Sequence, residues 1–226
     1  MSAAEVRPFQ VAVPDEVLTD LASRLDRVRW PDSVPGGGWE YGANLAYVQE
    51  LVDYWRDGYD WRAQEKEINQ FPHYQAAVNG IDVHFLHVPG VGPNPTPLLL
   101  CHGWPGSFWE FDKIIPMLTD PGRFGGDPAD AFTVVAPSLP GYGFSFQPGQ
   151  RRFDILGMAE TLGQLMVDVL GYDRFAAQGG DWGAGVVSRL AYERPQNVIG
   201  IHLNLLFTRG GAMSALRRPS LCPGLI

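Results

Sequence analysis

The run Gly179-Gly180-Asp181-Trp182-Gly183 sets a carboxylate among glycines, with a short apolar stretch, Phe175-Ala176-Ala177, before it and a helical pattern, Val186 to Tyr192, after it. Strand, turn and helix in that order are the setting of a nucleophile elbow. The turn is so tight that small residues must flank the central one, whose side chain stands clear above the sheet edge while the next backbone N–H turns into the site. A carboxylate placed there can attack carbon and form an ester as a covalent intermediate. The plainer alternative makes Asp181 a helix N-cap beside ordinary loop glycines.

Two further loops bear on the choice. His102-Gly103-Trp104-Pro105-Gly106 follows the apolar run Leu98-Leu99-Leu100-Cys101 and precedes Ser107-Phe108-Trp109-Glu110, which reads as a capping box with Ser107 and Glu110 satisfying each other's backbone N–H groups. From that position a loop N–H can face the elbow. The N–H groups of Trp104 and Trp182 would then form an oxyanion hole. His102 is read as pinning its loop, and Gly103, Pro105, Gly180 and Gly183 as the residues that shape the two turns. Leu139-Pro140-Gly141-Tyr142-Gly143-Phe144-Ser145 comes after another apolar run, Phe132 to Ala136, and so belongs to the same carboxyl-end crevice. Tyr142 is a possible proton donor there, with packing as the commoner role. The remaining histidines offer no base: His73, His84 and His87 precede the core strands, and His202 falls inside a run read as a buried strand.

The elements that must position these residues can be read from periodicity. Val17, Leu18, Leu21, Leu25 and Val28 share one helical face that ends at Trp30-Pro31. Leu45, Val48, Val52 and Trp55 repeat the pattern behind an Asn44 cap, and Asp60 to Asn69 suits a short surface helix. Residues 1 to about 72 are expected to form a helical arm with no sheet of its own. Tyr74–Val78 and Ile81–Leu86 alternate around Asn79-Gly80, which predicts a β-hairpin. The runs at Leu98–Cys101, Phe132–Ala136, Phe175–Ala177 and Ile199–Leu203 suit strands buried on both faces, with helices at Phe108–Leu118, Met158–Val169 and Val186–Tyr192 between them. Such alternation predicts an α/β fold, a mostly parallel sheet with helices on both faces.

Composition narrows the function. In 226 residues, 17 Lys and Arg stand against 25 Asp and Glu, and the net charge of -8 disfavours nucleic acid and anionic membranes as partners. Two cysteines are too few for a disulfide scaffold and have no metal-site spacing, so no metal or cofactor is expected. The opening residues lack a signal-peptide pattern, and no stretch stays apolar for the ~20 residues of a membrane span, so a cytoplasmic protein is expected.

The ordered set His102-Gly103-Trp104-Pro105, Leu139-Pro140-Gly141-Tyr142-Gly143 and Gly179-Gly180-Asp181-Trp182-Gly183 resembles the epoxide hydrolases of the α/β-hydrolase superfamily. Arg29-Trp30-Pro31-Asp32, Tyr54 to Arg62 and Asn69-Gln70-Phe71-Pro72-His73-Tyr74 resemble the N-terminal region of its microsomal-type subgroup. The resemblance runs from about Val6 to Phe207. It implies an N-terminal epoxide hydrolase region over 1–95, a partial α/β-hydrolase core over 96–207 and an atypical tail over 208–226. It also implies a small-molecule epoxide as substrate, Asp181 as nucleophile and a vicinal diol as product.

In that family, lid tyrosines protonate the epoxide oxygen and a histidine oriented by a carboxylate activates water, all later in the chain. The expectation is therefore a C-terminally truncated member, with turnover impaired and an uncovered sheet edge open to self-association. Two other readings stand beside it. One is a non-catalytic remnant or binding module. The other is a haloalkane dehalogenase, which also uses an Asp-Trp elbow but does not carry this helical arm. A serine esterase lacks its Gly-x-Ser-x-Gly here.

Overall fold

The computed structural model describes residues 5–206; the atypical tail expected over 208–226 lies outside them. The chain divides into two compact units, a helical one over 10–71 and a sheet-based one formed by the remainder.

In the helical unit, α1 (Asp15–Leu25) begins behind Pro14 with Asp15 and Glu16 in its first turn, where acidic side chains suit the helix dipole. Next come α2 (Leu45–Asp57) and α3 (Trp61–Ile68). Each has a side-chain cap: Asn44 accepts from the Tyr47 N–H and Asp60 from the Ala63 N–H, satisfying donors that a helix leaves unpaired at its start. Leu18, Leu21 and Leu25 of α1 share a cleft with Trp55 at the end of α2. The extended segment before α1 is tied to α3. Asn69 Oδ1 accepts from the Val11 N–H at 2.9 Å, its Nδ2 donates to the Val11 carbonyl at 2.8 Å, and Glu65 accepts from the Val13 N–H at 2.7 Å.

Among its described residues the sheet unit has seven strands: β1 (Val6–Phe9), β2 (His73–Val78), β3 (Ile81–Val88), β4 (Thr96–Cys101), β5 (Phe132–Pro137), β6 (Phe175–Gly179) and β7 (Val198–Leu203). They lie in the order β1-β2-β3-β5-β4-β6-β7. The β1–β2, β2–β3 and β3–β5 pairs are antiparallel and the rest parallel. The fold is thus a mixed, mostly parallel α/β sheet. Asn79 and Gly80, with φ of 50° and 80°, make the tight left-handed turn between β2 and β3 that a two-residue hairpin requires.

The expectation that residues 1 to 72 carry no strand is corrected by β1, which pairs with β2 from Val6↔Ala76 to Phe9↔His73. Four residues are too few to show a period. Pro8 also argues against a central strand, although it is tolerated at the edge that β1 occupies. The edge is held by an Arg7–Asp82 ion pair at 2.7 Å and by Phe9 packing on His84 and Phe144.

Both faces of the central strands are covered. Phe85, Leu99 and Val135 share a core with Leu162, Leu165, Val187 and Leu190 from α5 (Ile155–Gln164), its π-helical extension Leu165–Val169, and α6 (Asp181–Glu193). The alternate residues Leu86, Leu98, Leu100 and Val134 point the other way and are buried as well. Over β4 and β5 lie the 3₁₀ turn Phe108–Phe111 and α4 (Ile114–Thr119), with Phe108 and Ile115 buried. The single helix expected over Phe108–Leu118 is therefore interrupted at Asp112–Lys113. β7 departs from its reading as a strand buried on both faces. Ile199 and Ile201 are 51% and 42% exposed, and His202 is exposed rather than part of a core. An apolar run shows what a strand can bury, and burial then needs a layer to cover it. Among the described residues, β7 has no neighbour on its outer edge. None of their helices is long and apolar enough to cross a membrane.

Candidate active site

From β4 the chain goes out to β5 on one side and returns across β4 to β6 on the other. Loops leaving β4 and β6 therefore part in opposite directions and leave a crevice at their carboxyl ends. Cys101, the last residue of β4, is in register with Gly179, the last of β6. The register brings His102–Gly106 and Gly180–Gly183 face to face at that crevice.

Asp181 has φ of 47°, a left-handed conformation that it shares, among described non-glycine residues, only with Asn79 of the hairpin. A non-glycine side chain pays for that backbone in steric strain, and such residues gather at functional sites. The N-cap of α6 is Gly180, and Asp181 is the first residue of the helix. The reading of Asp181 as a capping side chain is thereby removed. Close approach explains two glycines. A Cβ on Gly183 would stand 2.3 Å from the Cys101 carbonyl oxygen, and one on Gly103 would stand 2.5 Å from Asp181 Cβ.

Trp104 N–H donates to Asp181 Oδ1 at 2.8 Å, and the Trp182 N–H also donates to the carboxylate. These two bonds hold the Asp181 pKa below the ordinary carboxylate value, against a smaller opposing effect of burial. Asp181 is therefore ionised at neutral pH, the form a nucleophile needs. The indoles of Trp104 and Trp182 are exposed, and with Pro105, Tyr142, Phe146, Phe153 and Arg152 they line a cavity of about 610 Å³ above the elbow.

The supporting loops are fixed from below. His102 is fully buried; its Nε2 accepts from the Leu139 N–H at 3.0 Å and its Nδ1–H donates to the Gly103 carbonyl at 2.9 Å. Burial lowers its pKa, and with both ring nitrogens engaged it braces the loops. Tyr142 packs edge-on against the His102 ring, and burial together with the Asp181 charge raises its pKa. The Leu139–Ser145 loop is anchored by Ser145 Oγ, which donates to the Ser138 carbonyl at 2.8 Å and accepts from the His84 N–H at 2.9 Å. His84 Nδ1 also meets Ser138 Oγ at 2.9 Å. His73 and His84, read as lying ahead of the core strands, are buried residues of β2 and β3; His84 braces this loop and His73 Nδ1 meets His84 Nε2 at 2.9 Å.

Glu110 corrects another expectation. Ser107 Oγ accepts from the Trp109 N–H at 3.3 Å, as in a simple cap, but the Glu110 carboxylate accepts from the Gly103 N–H. It reaches back across Gly106 to the loop that follows β4 instead of closing a capping box. Burial raises its pKa, and the Asp181 charge adds to the rise. Glu110, Asp181, Gln178 and Asn204 line a second cavity, of about 570 Å³, on the β7 side of the elbow. Sequence reading missed Gln178 and Asn204 as site residues. The only available signal was their positions, three residues before the nucleophile and at the end of a strand. Among the described residues, no three His, Cys, Asp or Glu side chains converge as a metal site.

Comparison with known proteins agrees with this architecture. Residues 6–111 match the family model of the epoxide hydrolase N terminus, and residues 96–206 match that of the alpha/beta hydrolase fold. Epoxide hydrolase 1 of Oryctolagus cuniculus is 43% identical over 204 residues, covering 88% of this chain and 45% of that protein. Among solved structures, juvenile hormone epoxide hydrolase from the silkworm Bombyx mori superposes with a TM-score of 0.78 at 32% identity, covering 89% of this chain and 53% of the other. An Aspergillus niger epoxide hydrolase gives 0.79 at 32% identity, covering 92% and 54%. The chain thus spans about half the length of the relatives it matches. With the Asp-Trp elbow at the switch point of an α/β-hydrolase sheet, and matches that run from Val6 to Leu206, the chain belongs to the epoxide hydrolase family.

Proposed function

We propose that Asp181 opens an epoxide ring by attack at carbon, the C–O bond breaking and the ring oxygen taking up a proton from solvent, and that water then hydrolyses the resulting ester to a vicinal diol. The observation that carries this reading is the pairing of a left-handed, ionised Asp181 with two converging backbone donors, Trp104 N–H and Trp182 N–H. Oδ1 is already held by Trp104, which leaves Oδ2 to attack. On ester formation Oδ1 becomes the carbonyl oxygen, and in the hydrolytic step it takes up the charge of the tetrahedral intermediate. The Trp104 donor follows that atom through all three states, so it is preorganised for the charge that develops.

The aromatic walls of the upper cavity fit a hydrophobic epoxide. Trp104, Trp182, Tyr142, Phe146 and Phe153 line this cavity beside the elbow, as in small-molecule sites lined by apolar groups with a few polar ones. The relatives named above carry epoxide hydrolase in their own names, which supports the choice of an epoxide over other carbon electrophiles. In the test, the protein is incubated with styrene oxide, quenched at intervals, and assayed by intact mass and for released diol. An adduct of one substrate mass on the peptide containing Asp181, or diol, is expected, and both should vanish in Asp181→Ala. Neither product from the unaltered protein, or either product from the variant, would overturn the reading.

A further inference from the structure

We propose that Glu110 is a positioning residue for the oxyanion donor: by holding the Gly103 N–H it fixes the loop that aims the Trp104 N–H at Asp181 Oδ1. The proposal rests on the ester at Asp181 inferred above and adds a residue that acts through the backbone. A Cβ on Gly103 would lie 2.5 Å from Asp181 Cβ and 2.7 Å from Oδ1. The loop can therefore pass this close to the elbow only with glycine there. Glycine also has the widest backbone freedom of any residue, and the Trp104 N–H belongs to the peptide that turns with it.

Side chains hold Gly103 at both of its peptides. Its carbonyl accepts from His102 Nδ1–H at 2.9 Å, and its N–H donates to the Glu110 carboxylate. The Gly103 carbonyl and the Trp104 N–H share one planar trans peptide and point in opposite directions. His102 drawing the carbonyl one way thus turns the N–H the other way, to Asp181 Oδ1 at 2.8 Å. Glu110 holds the peptide on the other side of Gly103. The two bonds together fix both backbone torsions of a residue that has no side chain to restrict them.

Glu110 is anchored apart from the loop it holds. It lies in the 3₁₀ turn Phe108–Phe111, whose two phenylalanines are buried and whose start is capped by Ser107. Gly106 leaves room for its side chain to return, since a Cβ there would stand 3.1 Å from Glu110 Oε2. An ionised acceptor also makes a stronger bond to a backbone N–H than a neutral one. The hold matters most when a nucleophile adds to Asp181 Cγ of the ester and charge grows on Oδ1. A donor that has swung out of line then gives little stabilisation.

Glu110→Ala removes the acceptor for the Gly103 N–H, whereas the amide oxygen of Glu110→Gln keeps it; both lack the charge. The unaltered protein and both variants are loaded with styrene oxide until intact mass shows the Asp181 ester, freed of epoxide and given hydroxylamine. Its nitrogen adds to Cγ, the bond from Cγ to the alkyl oxygen breaks, and a proton passes from nitrogen to that oxygen, leaving a hydroxamate and the free diol. This route crosses a tetrahedral intermediate with its charge on Oδ1 and needs no base from the protein. Ester loss should be about a hundredfold slower in Glu110→Ala and within about threefold of the unaltered rate in Glu110→Gln. Where the unaltered protein releases diol without hydroxylamine, diol release is compared in the same way. The amide proton resonance of Trp104 in the unloaded proteins, which a general loss of stability would not move, should shift in Glu110→Ala and stay in place in Glu110→Gln. An unchanged rate or an unchanged Trp104 resonance in Glu110→Ala, or equal changes in both variants, would overturn the role of Glu110 alone. Failure of the unaltered protein to form either ester or diol would overturn the nucleophile reading and this proposal with it.

Discussion

Gly183→Ala isolates the contact on which the geometry of the elbow depends. The added methyl would lie 2.3 Å from the Cys101 carbonyl oxygen and 2.6 Å from that of His102, both backbone atoms that cannot swing away. Ordinary contact begins near 3.4 Å, so the start of α6 must retreat from the β4 loop by roughly 1 Å. A retreat along the Trp104 N–H···Asp181 bond stretches it from 2.8 Å to roughly 3.8 Å, past the ~3.2 Å limit of a good N–H···O bond. Loss of one such donor costs about 10²–10³-fold in rate, and the overpacking costs ~1–3 kcal/mol in stability. Ester formation with styrene oxide, timed by quenched mass spectrometry, reports the first quantity, and urea unfolding reports the second. A folded variant that alkylates within about threefold of the unaltered rate would refute the claim that the Trp104 donor depends on this close approach.

Two further outcomes follow from the buried histidines. His102→Ala leaves the Leu139 N–H and the Gly103 carbonyl without their partner, and at ~1–3 kcal/mol for each group the variant should lose several kcal/mol in urea unfolding; a loss under ~1 kcal/mol would contradict the bracing role. Burial, helped by neighbouring His73, lowers the His84 pKa from 6.5 to about 3, so below pH 6.5 the unfolded chain binds the proton that the folded one refuses. Stability is then complete above about pH 6.5 and lost as pH falls toward about 3. His87 and His102, whose pKa values burial also lowers, act in the same direction. Urea midpoints should fall on acidification through this window and fall less steeply in His84→Gln; an unchanged slope in that variant would count against His84.

Much of the site could be read from residue order, because the rules involved are local. A carboxylate among glycines between an apolar run and a helical pattern specifies an elbow. Side-chain caps such as Asn44 and the Asn79-Gly80 turn depend on a few adjacent residues, and both have the geometry that their types imply. The alternation of apolar runs with helical patterns was enough to specify an α/β sheet, because buried parallel strands and their covering helices need those patterns.

Where the sequence was insufficient, the deciding partner is distant along the chain. Val6–Phe9 is too short to show a period and becomes a strand because the β2–β3 hairpin offers it an edge. Ile199 and Ile201 are apolar without being buried, since burial depends on a covering layer that their own residue types cannot report. Glu110 has the spacing of a capping box, and its carboxylate instead takes the Gly103 N–H, a choice between two donors that only the packing of the β4 loop settles. The carboxylate proposed as nucleophile could thus be picked out from the sequence. Its left-handed backbone, its two donors and the second carboxylate beside it come from the register of β4 against β6, which sets two loops some eighty residues apart within hydrogen-bonding distance.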